Sequence, residues 1–446
     1  MTNWPLIAAV LSGIGLLLAL ILYFKMPAFI SLLLASITVG LVAGMDAAEI
    51  LKSIQQGMGD TLGFVATVVG LGAMFGAILE HSGGARAIAA YLINRMGVRR
   101  APTAMMLSGF IIAIPVFFDV AFIILVPVIY ALQRKTNLSL LHYAIPLLAG
   151  LAISHTFIPP TPGPVAVAET LGVELGWVML AGLVVGLPTA LVSGLWFGRY
   201  ISRRIFVEAP AEEASDAPES LPSAGLIISI IAIPIVLIIL GTTLKSNLLP
   251  FEISASVRNA LELISHPFCA LIIANLVAWY VLGIRRGWTK AALLDISTRS
   301  MAPAGTIILL TGAGGVLKQM LIATGIGTLL AESLTAIGFP ALLFAFIAAA
   351  LVRVLQGSAT VAMITAASLV APLIDKTQTS AIDIAFLVTA IAAGASILSH
   401  VNDSGFWLIS RYLNLSERQA FRSWSVMTTI LALTGFTMTC LLAWVF

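Results

Sequence analysis

The sequence predicts an all-α polytopic membrane protein built from two related halves, with broken helices or re-entrant hairpins in each. Three observations lead there. Of 446 residues, 60% are hydrophobic and only 10% are charged, against roughly 25% charged in ordinary globular chains. Apolar runs long enough to cross about 30 Å of hydrocarbon, which takes about 20 helical residues, recur along the whole length. The order of motifs in the first half then returns in the second.

Taken in order, the spanning candidates are 4–24, 27–45, 61–79, 141–159, 175–198, 225–241, 263–283, 383–399 and 425–446. Their polarity is continuous rather than alternating, which excludes barrel strands of period two. The first run has no basic region before it and no small-residue cleavage site after it, so a retained helix is expected rather than a signal peptide. Recurrence of the runs rules out a soluble enzyme on a single anchor. Trp177, Trp196, Trp279 and Trp424 fall near run ends, where interfacial indoles are expected.

Two apolar regions, 102–133 and 338–374, are too long for one crossing. Each is interrupted near its middle, at Pro115 to Asp119 and at Arg353 to Ser358. A broken helix and a hairpin that re-enters from one side fit both equally. The one strongly polar stretch, 202–224, mixes acids with Pro210, Pro218 and Pro222 and reads as a cytoplasmic linker. It divides the chain into repeats at 1–201 and 225–446. Basic residues in Arg199 to Arg204 and at Arg285, Arg286, Lys290 and Arg299 put both stretches on the cytoplasmic side.

GLGAMFGAILEHSG, an interrupted run with Asp119, and PLLAGLAISH are followed after the linker by LTGAGGVLKQMLIATG, an interrupted run with Arg353, and AIAAGASILSH. Such internal symmetry marks secondary transporters, whose repeats, related by inversion, place a site between discontinuous helices near the midplane. Ser154-His155 and Ser399-His400 each follow an apolar run and precede residues that cannot continue a helix. Each pair is expected where unwound backbone and a few polar groups hold a solute.

The candidate site residues follow from the cost of polar groups in hydrocarbon. A charged carboxylate at Asp119, between IIAIPVFF and VAFIILVPVIY, costs several kcal/mol unless solvated, paired or protonated. It is therefore a candidate for proton coupling, beside a structural role on the backbone donors of the break and a direct substrate contact. His155 and His400 titrate near neutrality and are read as proton relays or substrate donors, against the plainer reading of satisfied structural groups. Asp403 is a second proton candidate, and Ser154, Ser399, Asn402 and Ser404 offer donors and acceptors to a polyol. Arg353 must reach water, pair with Asp119 or Asp403, or grip a substrate carboxylate, with Gln356 and Ser358 available for hydroxyls. Thr311, Gly312, Gly314 and Gly315 form no nucleotide loop; an anion-binding turn and a close-packing seam are equally open there.

The motifs IPVFFDVAFIILVP (114–127), FIPPTPGPVA (157–166), TGAGGVLKQ (311–319), QGSATVA (356–362) and SHVNDSGFW (399–407) resemble the gluconate permease family, also called gluconate:proton symporters. The resemblance runs from KMPAFISLLLASITVGLVAGM at 25–45 to the terminal helix. It implies an inner-membrane carrier of the ion-transporter superfamily type that imports aldonates with protons, while some relatives take other small hydroxy acids or D-serine. Thr161 stands where the family pattern has His and is kept as a substrate-site candidate; Asp119 stands where some members have Glu.

Expected partners are a small anion, protons and membrane lipid, with a homo-oligomer allowed. A net charge of +3, with arginines at segment ends, gives no reason to expect nucleic acid. No cofactor or metal is expected, since Cys269 and Cys440 lie in apolar runs without CxxC spacing. An intramembrane hydrolase using Asp119 with Asp403, or Ser154 with His155, is the rival from another class. Adjacent Ser and His make no triad, and GxSxG is absent from the chain.

Overall fold

The computed structural model describes residues 4–210, 221–245, 254–325, 340–375, 379–401 and 403–445. Among these there is no strand. The first half runs α1 (Trp4–Leu22), α2 (Ala28–Val42), α3 (Ala47–His81), α4 (Gly84–Met96), α5 (Ala101–Ile112), α6 (Phe118–Thr136), α7 (Leu141–Phe157), α8 (Pro162–Leu171) and α9 (Leu175–Ser202). After the linker come α10 (Ala224–Lys245), α11 (Ala255–Ser265), α12 (Pro267–Arg286), α13 (Lys290–Arg299) and α14 (Met301–Ala323). The chain closes with α15 (Ala341–Gln356), α16 (Ala359–Val370), α17 (Ala381–Ser396), α18 (Ser404–Tyr412) and α19 (Glu417–Val445). Seven helical stretches among the described residues are long and apolar enough to span a membrane.

Several helices start earlier than hydrophobicity alone suggests, because their ends are set by caps. The run expected at 61–79 is the second half of the 35-residue α3. Its start is a capping box, with Asp46 accepting from Glu49 N at 2.8 Å and Glu49 accepting from Asp46 N at 3.2 Å. In the same way Ser416 and Gln419 cap α19 reciprocally, eight or so residues before the apolar run begins. The run expected at 263–283 divides at His266, where Pro267 opens α12 and α11 lies before it.

Both long apolar regions are broken, and where expected. α5 stops at Ile112 and α6 resumes at Phe118, because Pro115 has no N–H to donate and restricts the residue before it. α15 stops at Gln356, with Gly357 in the left-handed region at φ +92° where a Cβ would be strained, and Ser358 caps α16 by accepting from Val361 N at 3.3 Å. Two further breaks follow: Ile158 to Thr161 between α7 and α8, and Ile397 to Asp403 between α17 and α18.

The helices that carry these breaks touch backbone to backbone. A Cβ on Gly150 of α7 would lie 2.2 Å from Met106 O of α5, and one on Gly394 of α17 would lie 2.2 Å from Phe346 O of α15. So α5 lies along α7 and α15 along α17, each pair locked by a glycine that allows close van der Waals packing. α3 meets the first-half break directly, since a Cβ on Gly76 would be 2.2 Å from Pro115 O.

The TGAGG stretch is a correction to the turn reading. Thr311 to Gly315 lie inside continuous helix α14, and Thr311 Oγ1 donates to Ile307 O at 2.8 Å. Gly312 faces Met58 and Leu62, Gly315 faces Thr61 and Gly57, and Gly314 faces Ile364 and Ser368. Small residues here let α14 approach α3 and α16; the N–H groups stay in the helix and offer nothing to an anion.

Candidate functional site

One cavity of about 560 Å³ lies among the breaks and draws its walls from both halves. Its size falls in the usual range for small-molecule sites, roughly 300–1,000 Å³. The first half contributes Phe117, Phe118, Asp119, His155 and Thr156. The second contributes Arg353, Gln356, Ser358, Asp403 and Ser404, with Trp424 and Thr428 from α19. Stranded polar groups from two distant parts of the sequence thus share one space.

Arg353 sits in the last turn of α15 and is 5% exposed. Its Nη2 donates to Asp403 Oδ2 at 2.5 Å, and its Nη1 donates to the Gly357 carbonyl at the break. Nε is buried without a partner. Asp403 caps α18 through Gly405 N at 2.9 Å, and Ser399 Oγ donates to its Oδ2. Trp424 Nε1 in turn donates to Ser399 Oγ at 2.6 Å, while Ser425 Oγ donates to Ser399 O. Asp403 thus accepts from three fixed donors, two on Oδ2 and one on Oδ1, and is held in place by them.

The first-half acid differs. Asp119 lies in the first turn of α6, where the helix dipole favours negative charge, yet no hydrogen bond or ion pair to it is made among the described residues. The helix is entered through Phe117, whose side chain offers no cap. Among the described residues Asp119 therefore meets no backbone donor. His155, in the last turn of α7, has Nδ1 buried without a partner. Its ring centre lies 6.4 Å from that of Phe117 and 6.5 Å from Phe118, and Phe118 continues to Trp424 at 5.7 Å. These rings join the two halves across the cavity.

Other expected residues have other duties. Ser154 is fully buried and donates to Phe110 O at 2.5 Å, tying α7 to α5. Thr161 donates to Ile158 O at 2.6 Å and lines a small separate hollow beside Gly72 and Pro115. His400 Nε2–H donates to Val354 O at 2.9 Å, and Ser399 supports Asp403 from behind. None of Ser154, Thr161, Ser399, His400, Thr311, Gly312, Gly314 or Gly315 lines the cavity. The two Ser-His pairs are also not equivalent: Ser154-His155 is still helical, while Ser399-His400 lies past the end of α17. Asn402 lies outside the described residues.

Sequence reasoning missed Thr156, Ser396, Thr428 and Trp424. Ser396 donates to Thr156 at 3.2 Å across the two halves, and Thr428 accepts from Ser399 N at 3.1 Å. Trp424, expected at the interface, is 4% exposed. It sits in a π-helical turn, Phe421–Ser425, of the kind common at functional sites. Its flanking serines were the only available signal.

Comparison with known proteins decides the family. Residues 4–445 match the GntP family permease pattern. The chain belongs to the GntP permease family. A gluconate permease of Pseudomonas aeruginosa is 39% identical over 98% of this chain and 97% of that protein. The low-affinity gluconate transporter of Escherichia coli K12 is 38% identical over 98% and 97%. The L-idonate transporter of the Gnt-II system in the same organism is 36% identical over 97% of each chain. Among solved structures, the YdaH transporter of Alcanivorax borkumensis matches with a TM-score of 0.58 at 16% identity, covering 90% of each chain. MtrF of Neisseria gonorrhoeae matches at 0.61 and 14%, covering 89% of this chain and 85% of its own. At such identities these two show a shared fold. This GntP-family permease is a multi-pass inner-membrane transporter, not an enzyme.

Proposed function

We propose that the protein imports a six-carbon aldonate, gluconate or a stereoisomer, together with protons by alternating access. The observation that carries this reading is a single cavity holding an ion-paired Arg353 beside an unpartnered Asp119. The charged groups on its walls are Asp119, Arg353 and Asp403. With Asp119 ionised the sum is −1, and an aldonate carboxylate is repelled; with Asp119 protonated the sum is zero. A proton on Asp119 thus raises affinity for the anion, and by linkage the bound anion favours the proton.

Energetics favour the same coupling. An anion entering against an inside-negative potential is opposed by about 2.3 kcal/mol per 100 mV. One proton per aldonate cancels that charge and lets the pH gradient drive uptake. Arg353, with donors still unmet, meets the carboxylate end. Thr156, Ser396 and Thr428 offer hydroxyls to the polyol chain. In this reading 1–201 and 225–446 are repeats, and one bundle moves against the other around the cavity.

Uptake into proteoliposomes with an acid exterior, across a panel of aldonates, other hydroxy acids and D-serine, tests the proposal. Saturable gluconate or idonate accumulation that collapses with a protonophore is expected. Accumulation of D-serine without competition by aldonates overturns the substrate class, and accumulation indifferent to the protonophore overturns the coupling.

A further inference from the structure

The far end of α9 carries a second built feature, unrelated to the transport cavity. Trp196, Tyr200 and Phe206 are 68%, 52% and 58% exposed, an aromatic ladder of the kind found at headgroup level. Beside it lies a separate cavity of about 370 Å³. Arg204 and Phe206 line one side; Ser416, Arg418 and Arg422, at the start of α19, line the other. The basic stretch that contains Arg204 is the one the positive-inside rule assigns to the cytoplasm.

Three guanidiniums converge on this space from two parts of the chain far apart in sequence. None of them is in an ion pair among the described residues. The Arg204 guanidinium is held 4.7 Å over the Tyr200 ring, which pre-orders it beside the ladder. Glu417, the acid of the same turn, does not line the cavity. Ser416 is occupied with Gln419, which also lines the cavity, so the arginines and the positive end of α19 are the charged groups that remain for a ligand. That combination suits a phosphate, which arginine forks and helix N-termini both hold. The wall of Ile205 and Phe206, next to exposed aromatics, suits an acyl chain leaving that phosphate.

We propose that this cavity binds the phosphate of an anionic phospholipid headgroup, and so ties the end of the first half to α19. The backbone around Arg204 is firm enough to transmit the tie. Ser139 Oγ donates to Ile205 O at 2.8 Å, and Leu140 N donates to Val207 O at 2.9 Å.

Native mass spectrometry and thermal unfolding of the purified full chain test this, with phosphatidylglycerol, phosphatidylcholine or inorganic phosphate added to the detergent. Phosphatidylglycerol is expected to be retained and to raise the unfolding temperature; the other two are not. Each of Arg204→Gln, Arg418→Gln and Arg422→Gln should weaken phosphatidylglycerol retention about fivefold, the equivalent of about 1 kcal/mol per basic residue. Arg203→Gln, an exposed neighbour outside the cavity with the same change of charge, should leave retention intact. Single variants carry the test should the triple variant fail to purify. Wild-type retention in the cavity variants overturns the proposal, and an equal thermal shift with inorganic phosphate alone overturns the lipid as occupant.

Discussion

The first-half break leaves its acid unbonded, whereas the second-half break binds its own. Asp119 makes no hydrogen bond or ion pair among the described residues and His155 Nδ1 is buried without a partner, while Asp403 is held by Arg353, Ser399 and Gly405. Both breaks open on the same cavity. In the transport cycle we propose, the difference is a division of labour: the bonded acid positions Arg353, and the unbonded one is the proton site. Equal polarity on the two sides of a symmetric pattern does not imply equal chemistry.

The comparison breaks most visibly at Arg353. Arg353→Met strands Asp403 in the protein, and losing one member of a buried pair costs about 3–5 kcal/mol. Thermal unfolding in detergent should show that loss and uptake should vanish. The double variant with Asp403→Asn should recover most of the stability without recovering uptake. A milder effect is expected at His155. His155→Leu breaks no hydrogen bond within the protein at Nδ1, so stability should change by less than about 1 kcal/mol. Aldonate affinity, read from the KM of uptake, should fall about tenfold, or about 1.4 kcal/mol.

Trp424→Phe sharpens the account of the bonded side. It removes the indole donor to Ser399, which should cost about 1 kcal/mol in unfolding and raise KM severalfold, leaving proton coupling intact. The smallest effect belongs to Thr311→Val. Its hydroxyl bonds only its own helix, and an apolar group of like shape should change stability by less than about 0.5 kcal/mol, with uptake at wild-type level. A large loss of substrate affinity there would restore the anion-binding reading of the TGAGG stretch.

The sequence disclosed the breaks because prolines and glycines act locally: Pro115 ends α5 and Gly357 ends α15 whatever surrounds them. Arg353 and Asp119 were legible for a similar reason, since charge inside an apolar run demands an explanation. Roles that depend on what lies across a helix interface were not legible. TGAGG has the composition of a turn and of a packing seam alike, and only the approach of Gly57 and Thr61 separates the two. Ser154 and His155 are neighbours in sequence, but one side chain faces α5 and the other the cavity. Trp424 looked interfacial because hydrophobic runs locate helix ends, while the helix that carries it is capped upstream, at Ser416, and Trp424 lies inside the protein.

Proton entry measured beside solute exchange tests most directly whether Asp119 carries the proton. In proteoliposomes holding a pH-sensitive dye, aldonate added outside should acidify the lumen with wild-type protein. With Asp119→Asn, whose side chain is permanently neutral, that acidification and the pH dependence of apparent affinity should disappear, while exchange of labelled for unlabelled aldonate continues. Lumenal acidification by the Asn variant at the wild-type rate would contradict the account.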